Sequence, residues 1–242
     1  MVTETKKANT KTTTILNTSS QNQNTITSRV APWLIKLVYP LADKIIFPFF
    51  FKKIHIEGKE NVPKKGAVII APTHRSRWDA LIVPYATGKM VTGRNPHFMV
   101  SANEMKGIQG WFIRRLGGFP VDTERPGLET LYHSLNLLYQ GEMVVIFPEG
   151  NIYRTANLVN PLKRGVAKIA LEVEASNPEV EVKILPIAIV YDEPIPSRGC
   201  SVNVKIGSPL QVNNYLNGSM RENSIRLTAD LKLSLERMTI RD

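Results

Sequence analysis

The 242-residue sequence predicts an α/β fold, a mostly parallel sheet covered by helices, preceded by an N-terminal membrane-associating helical pair and a disordered tail. Three observations carry this expectation. From residue 54 onward, short apolar runs of strand length alternate with stretches of helical periodicity. Residues 29–53, RVAPWLIKLVYPLADKIIFPFFFKK, are apolar and aromatic but are interrupted by Pro40 and Pro48. Residues 1–28 consist almost wholly of Thr, Asn, Ser, Gln and Lys. The expected units are a tail at 1–28, a membrane-associating segment at 29–53 and one domain at 54–242.

The tail holds too little apolar surface to offset the entropy of ordering it. A transit peptide is the rival reading, since the tail is Ser/Thr-rich and acid-poor, but its one Arg is Arg29 at the very end. In 29–53, Trp33, Leu34, Leu37, Val38 and Leu41 lie near helical spacing and the prolines break it. Aromatics flanked by Arg29, Lys52 and Lys53 suit a short helical hairpin lying in a membrane interface. A helix that covers the core fits the same residues. No apolar run approaches the roughly 18–20 residues that span a bilayer, so the expected location is the cytoplasmic face of a membrane, peripheral or monotopic.

The domain follows in order. AVIIA (67–71) is a fully apolar run, as a strand buried on both faces requires. Residues 79–87 read as helix, HFMVS (97–101) as strand, 103–116 as helix and GFPV (118–121) as a short strand. In 127–139, Leu128, Leu131, Leu135 and Leu138 recur at helical spacing. MVVIFP (143–148) is another buried strand, 166–175 a helix, 182–191 and 201–207 strands, and 223–238 a closing helix.

Composition sets the outer bounds. Apolar residues are 43% and charged residues 21%, which is ordinary for a globular protein. Cys200 is the only cysteine, which excludes an intrachain disulfide and a cysteine metal cluster. Residues 1–120 hold 18 Lys/Arg against 6 Asp/Glu, whereas residues 121–242 hold 13 against 15. The basic half suits anionic lipid, an acidic carrier protein or nucleic acid. Its cations are scattered among apolar blocks rather than drawn into one stripe, so nucleic acid is not an expected partner.

In open α/β sheets ligands sit beyond the carboxyl ends of the strands. Two loops meet that condition, APTHRSRWDA (71–80) and PEGNIYR (148–154). His74 and Asp79 are five apart, about 140° around a regular helix, so they meet only if His74 lies in the loop and Asp79 in the first helical turn. Ser76-Arg77-Trp78-Asp79 matches a capping box, with Ser76 as N-cap and Asp79 three residues on. Two readings follow: Asp79 caps alone, or its ionised carboxylate holds one imidazole nitrogen protonated and leaves the other free to take a proton. No Ser or Cys is placed as a nucleophile, and there is no G-x-S-x-G. A dyad without its own nucleophile suits direct activation of a substrate hydroxyl.

The block His74-Arg75-Ser76-Arg77-Trp78-Asp79, joined to Phe147-Pro148-Glu149-Gly150 and Leu185-Pro186-Ile187, resembles the 1-acylglycerol-3-phosphate acyltransferase (lysophosphatidate acyltransferase) family of glycerolipid acyltransferases. That family carries a His-x4-Asp block, a Gly-x-x-x-Asp-Arg-like block, a Phe-Pro-Glu-Gly block and a hydrophobic-Pro block, and all four stand in order here between roughly residues 65 and 190. The resemblance implies an α/β sheet preceded by a membrane-attaching helical pair. It implies that His74 deprotonates the sn-2 hydroxyl of lysophosphatidate while Asp79 orients His74. The oxygen then attacks a fatty acyl thioester, of coenzyme A or of acyl carrier protein, to give phosphatidate. Glu149 and Gly150 would shape the acceptor site. No cofactor and no metal are implied.

The pattern departs from the family at the positions that usually hold the acceptor phosphate. Ala102, Thr123 and Ile152 stand where basic residues are usual. Arg125 and Arg154, each two residues further on, are the expected replacements, helped by Arg75, Arg77 and Lys163. Another lysolipid, a glycolipid or a lipid alcohol is the alternative acceptor, and a non-catalytic membrane lipid-binding module the alternative class. Trp111, Phe112 and Ile113 read as packing residues that could also touch lipid. Arg114 and Arg115 read as surface residues, His97 and His133 as structural, and His55 receives no role.

Overall fold

The structure, a computed structural model, describes residues 26–122, 127–154 and 159–239. The chain enters along an extended strap. Residues 1–25 of the expected tail lie outside the described residues. The Arg29 and Ala31 N–H groups donate to the carbonyls of Arg114 and Arg115 at 3.3 and 2.8 Å.

Helix α1 (Pro32–Leu41) follows, opened by a proline whose missing N–H is no loss in the first turn. A π turn (Ala42–Ile46) and α2 (Phe47–Phe50) continue it. Backbone angles stay right-handed helical at Leu41, Ala42, Ile46 and Phe47. The expected hairpin is therefore corrected to one continuous helical run of two α pieces without a reversal. The physical reason is that the chain absorbs the prolines instead of turning. Pro48 has no N–H to give, and the Phe47 N–H closes a wider turn on the Ala42 carbonyl.

The run exposes Trp33, Leu37, Leu41, Ile45 and Phe49, a ridge at four-residue spacing. In a strict α-helix such a row drifts about 40° per step. The π turn takes more residues per turn and drifts the other way, which offsets part of that drift. Leu34, Ile35, Ala42 and Phe47 are buried on the opposite side.

Among the described residues the sheet has eight strands: β1 (Lys53–Glu57), β2 (Val68–Pro72), β3 (His97–Ser101), β4 (Gly118–Val121), β5 (Met143–Val145), β6 (Lys183–Tyr191), β7 (Ser201–Ile206) and β8 (Leu210–Gln211). Their order is β1-β7-β6-β2-β5-β3-β4, with β8 paired to β6. The contacts β1–β7, β6–β2, β2–β5, β5–β3 and β3–β4 are parallel, and β6 is antiparallel to β7 and β8.

The helices are α3 (Asp79–Thr87), a short α4 (Lys89–Thr92), α5 (Gly107–Arg115), α6 (Leu128–Tyr139), α7 (Gly165–Ser176) and α8 (Met220–Thr239). Strand alternation divides the core in two. Ile69, Val144 and Ile184 face a cluster with Leu138 of α6, Leu171 of α7 and Leu231 of α8. Val68, Ile70, Met143, Val145, Leu185 and Ile187 face Phe47, Phe51 and the Ile82, Val83 and Ala86 side of α3. Each central strand is thus apolar on both faces, the reason it reads as an unbroken apolar run.

Two expected elements change. The helix expected over 103–116 is a 3-10 turn (Ala102–Met105) followed by α5. Gly107 has φ +58°, and a Cβ on Gly110 would lie 2.1 Å from the Met105 carbonyl oxygen. The strand expected over 143–148 ends at Val145, and the chain turns there toward His74.

Candidate active site

β2 and β5 are hydrogen-bonded parallel neighbours. The loops that leave their carboxyl ends therefore open side by side, and they carry His74 and the Phe147-Pro148-Glu149-Gly150 turn. β6 is the parallel neighbour of β2 on its other side, so its last residue, Tyr191, reaches the same edge.

His74 lies in the loop and Asp79 is the first residue of α3. His74 Nδ1 is 2.9 Å from Asp79 Oδ2. That oxygen also accepts the N–H groups of Arg75 and Ser76 at 2.6 and 2.8 Å. Asp79 Oδ1 accepts the Tyr191 hydroxyl at 2.7 Å. Asp79 is completely buried, while the His74 side chain keeps 18% of its surface. A carboxylate with four donors at the start of a helix is stabilised as an anion. It holds the proton on His74 Nδ1 and leaves the Nε2 lone pair free, and none of the described residues bonds Nε2.

Half of the expected capping box forms. Asp79 reaches back to the Ser76 N–H, but the Ser76 hydroxyl accepts from Trp78 N–H at 3.3 Å. The helix begins at Asp79, so the return bond from Ser76 to Asp79 is not made.

Glu149 is buried and clamps three segments. Its Oε2 accepts the His74 N–H at 2.8 Å and the Arg75 guanidinium at 2.7 Å. Its Oε1 accepts the Asn160 backbone and side-chain N–H groups at 2.9 and 3.2 Å. The Arg75–Glu149 pair lies at 7% and 0% side-chain exposure and forms a buried strut beneath the His74 loop. The Phe147 ring stacks on the His74 imidazole, with centroids 3.9 Å apart. Tyr153 N–H donates to the His74 carbonyl at 2.9 Å, which brings exposed Arg154 beside the same loop. Lys163 N–H donates to the Pro148 carbonyl at 2.8 Å. The Lys163 side chain crosses Gly150, whose φ is +71° and whose added Cβ would meet Lys163 Cε at 2.6 Å.

The remaining expected site residues divide. Arg77 is 79% exposed and pairs with Glu104 at 2.7 Å, away from the dyad's hydrogen-bond network. Arg125 and Thr123 lie outside the described residues. Sequence reasoning passed over Asn160, Phe147 and Tyr191 as partners of the site. Phe147 lies inside a block already singled out and Asn160 three residues before Lys163, whereas Tyr191 ends an apolar strand and carries no local signal.

At the amino end of the sheet, the Ser28 hydroxyl lies 2.7 Å from His97 Nδ1 and 2.8 Å from His133 Nε2. Burial holds both imidazoles below their ordinary pKa.

A half-buried imidazole backed by a buried carboxylate, at the carboxyl edge of a mostly parallel sheet, defines an α/β domain equipped for general-base chemistry. The family model described as Acyltransferase matches residues 53–190, more than half of the chain. The chain belongs to the Acyltransferase family. It is similar to the 1-acyl-sn-glycerol-3-phosphate acyltransferase of Bacillus subtilis (strain 168), 36% identical over 124 residues, covering 48% of this chain and 56% of that protein. The protein of the same description from Streptococcus pneumoniae (strain ATCC BAA-255 / R6) is 25% identical over 170 residues, covering 66% of this chain and 56% of its own. The chain thus spans about half the length of these curated relatives. The crystal structure of the 1-acyl-sn-glycerophosphate (LPA) acyltransferase PlsC from Thermotoga maritima has the same fold, with a TM-score of 0.61 at 20% identity, covering 86% of this chain and 82% of that one.

Proposed function

We propose that this protein is an O-acyltransferase that moves a fatty acyl group from an acyl thioester to the sn-2 hydroxyl of lysophosphatidate, giving phosphatidate in phospholipid biosynthesis. The observation that carries the reading is the free Nε2 of a carboxylate-backed His74 on an open sheet edge. Nε2 takes the proton of the acceptor hydroxyl, and the oxygen attacks the thioester carbonyl. The tetrahedral intermediate then expels the thiolate, and the imidazolium returns its proton to the sulfur. The donor is an acyl-coenzyme A or acyl carrier protein thioester, and no bound cofactor enters this scheme. Arg154 and Lys163 supply positive charge next to the dyad loop for an acceptor phosphate, with Arg125 and Arg77 as the further candidates.

A second acceptor class, another lysolipid, a glycolipid or a lipid alcohol, is favoured by Ala102 and Ile152, which offer no charged donor, and by Arg77, which Glu104 engages. Thioester consumption by the purified protein with lysophosphatidate and a panel of these acceptors tests the reading. Turnover with lysophosphatidate is the expected result. Consumption with another acceptor alone moves the assignment, and no consumption with retained vesicle binding favours a non-catalytic lipid-binding module.

The reading includes attachment to the cytoplasmic face of an anionic membrane, peripheral or monotopic. Among the described residues no helix is long and apolar enough to cross a membrane. The ridge of Trp33, Leu37, Leu41, Ile45 and Phe49 joins exposed Ile108, Trp111 and Phe112 of α5 through a Trp33–Trp111 ring contact at 6.5 Å. Arg115 lies 3.9 Å over the Trp111 ring and Arg198 lies 4.0 Å over the Phe49 ring, so a cation stands at each end for lipid phosphates. Leu37→Asp with Ile45→Asp is expected to abolish co-sedimentation with vesicles containing anionic lipid. Undiminished binding by the double variant would remove the ridge from the proposal.

A further inference from the structure

We propose that Tyr191 is a positioning residue of the dyad: its hydroxyl fixes the rotation of the Asp79 carboxylate and moderates the pull of that carboxylate on His74. The inference rests on the acyl-transfer reading and adds a residue to its site.

The geometry carries it. The four donors around Asp79 are divided unequally between the two oxygens. Oδ2 takes His74, Arg75 and Ser76, while Oδ1 takes Tyr191 at 2.7 Å. Asp79 is fully buried, so without the phenol Oδ1 would lack its donor in a dry site. A carboxylate can rotate about its Cβ–Cγ bond, and the Tyr191 bond is the one that opposes rotation from the Oδ1 side.

Tyr191 is itself held in place. It is buried, and its ring stacks on Phe51 with centroids 6.3 Å apart at 29°. The strand leading to it is locked to the residue before His74, because Ile189 N–H donates to the Thr73 hydroxyl at 2.9 Å. Burial and the neighbouring Asp79 charge push the phenol pKa up, so the hydroxyl keeps its proton and remains a donor. The titratable groups that face the phenol are Asp79 and the buried Cys200 thiol.

The chemistry then has a sign. A donated O–H draws negative charge from the carboxylate and weakens its hold on the His74 Nδ1–H. Removing the hydroxyl leaves a more strongly charged Asp79, which stabilises the imidazolium. The acidic limb of the pH–rate profile should then move to higher pH.

The test is Tyr191→Phe, which deletes one oxygen and keeps the ring that packs on Phe51. For the variant we expect kcat/KM to fall roughly tenfold through kcat, with the acidic limb of the profile displaced upward. In the downfield proton NMR spectrum, the His74 Nδ1–H resonance should move from its wild-type position or be lost to exchange. The NMR reading needs no turnover, so it separates failure of this inference from failure of the acyl-transfer assignment. A variant with an unmoved resonance and an unmoved limb, whatever its melting temperature, overturns the proposal.

Discussion

Replacing His74 with alanine is expected to lower acyl transfer roughly 10²- to 10⁴-fold, the usual worth of a positioned general base, with little change in vesicle binding. The proposed mechanism assigns the acceptor proton to Nε2 alone, and the described residues offer no second base in the dyad's network, because both Glu149 oxygens and both Asp79 oxygens already accept protein donors. The side chain is also replaceable without loss of the loop. Glu149 and Tyr153 grip His74 by its backbone N–H and carbonyl, and these bonds survive in alanine. Single-turnover rates on one thioester, with circular dichroism as a control, make the comparison. An alanine variant that keeps more than about one tenth of the wild-type rate, far above that range, would falsify the role of His74 as base.

The second large effect concerns stability. Glu149→Ala removes one acceptor of a buried guanidinium, which also donates to the His74 carbonyl at 3.1 Å, and the acceptor of the backbone N–H groups of His74 and Asn160. Breaking a buried ion pair by removing one partner typically costs about 3–5 kcal/mol. Urea denaturation of Glu149→Ala should report a loss of that order. Activity should fall as well, because the His74 loop loses its anchor. A loss below about 1 kcal/mol, the range of exposed pairs, would mean that water or another group satisfies Arg75 and that the strut is dispensable. The contrast with His74→Ala is diagnostic: one variant should be stable and slow, the other unstable.

Much of the fold was legible because the central strands are buried on both sides. AVIIA and the run ending in Tyr191 are apolar at every step, and such runs are hard to mistake once turn residues bound them. Strand β1 was missed because only Ile54 and Ile56 are part-buried at the sheet edge, and Lys53, His55 and Glu57, which alternate with them, read as surface. The π turn was missed because prolines ordinarily signal a stop, and only the packing of Ala42 and Phe47 reveals that the helix runs on.

At the site, His74 and Asp79 stand close enough in sequence for their chemistry to be argued from spacing. Glu149 and Arg75 were placed in the right neighbourhood, but their mutual pairing was not foreseen, since a contact across 74 positions leaves no periodic trace. Tyr191, 112 positions from Asp79, was invisible for the same reason.

The apolar ridge sets how the molecule would ride on a bilayer. From Trp33 to Phe49 is sixteen steps, about 24 Å at the α-helical rise, several times the roughly 5–10 Å that such a helix sinks into lipid. On the proposed attachment the helix would therefore lie flat, like a keel, rather than stand on end. A keel alone lets the body roll. Ile108, Trp111 and Phe112 lie off its axis, and a line with one point beside it defines a plane. On that proposal the roll angle, and with it the height of His74 above the lipid headgroups, would be set by α5 rather than by the helix proposed as the anchor.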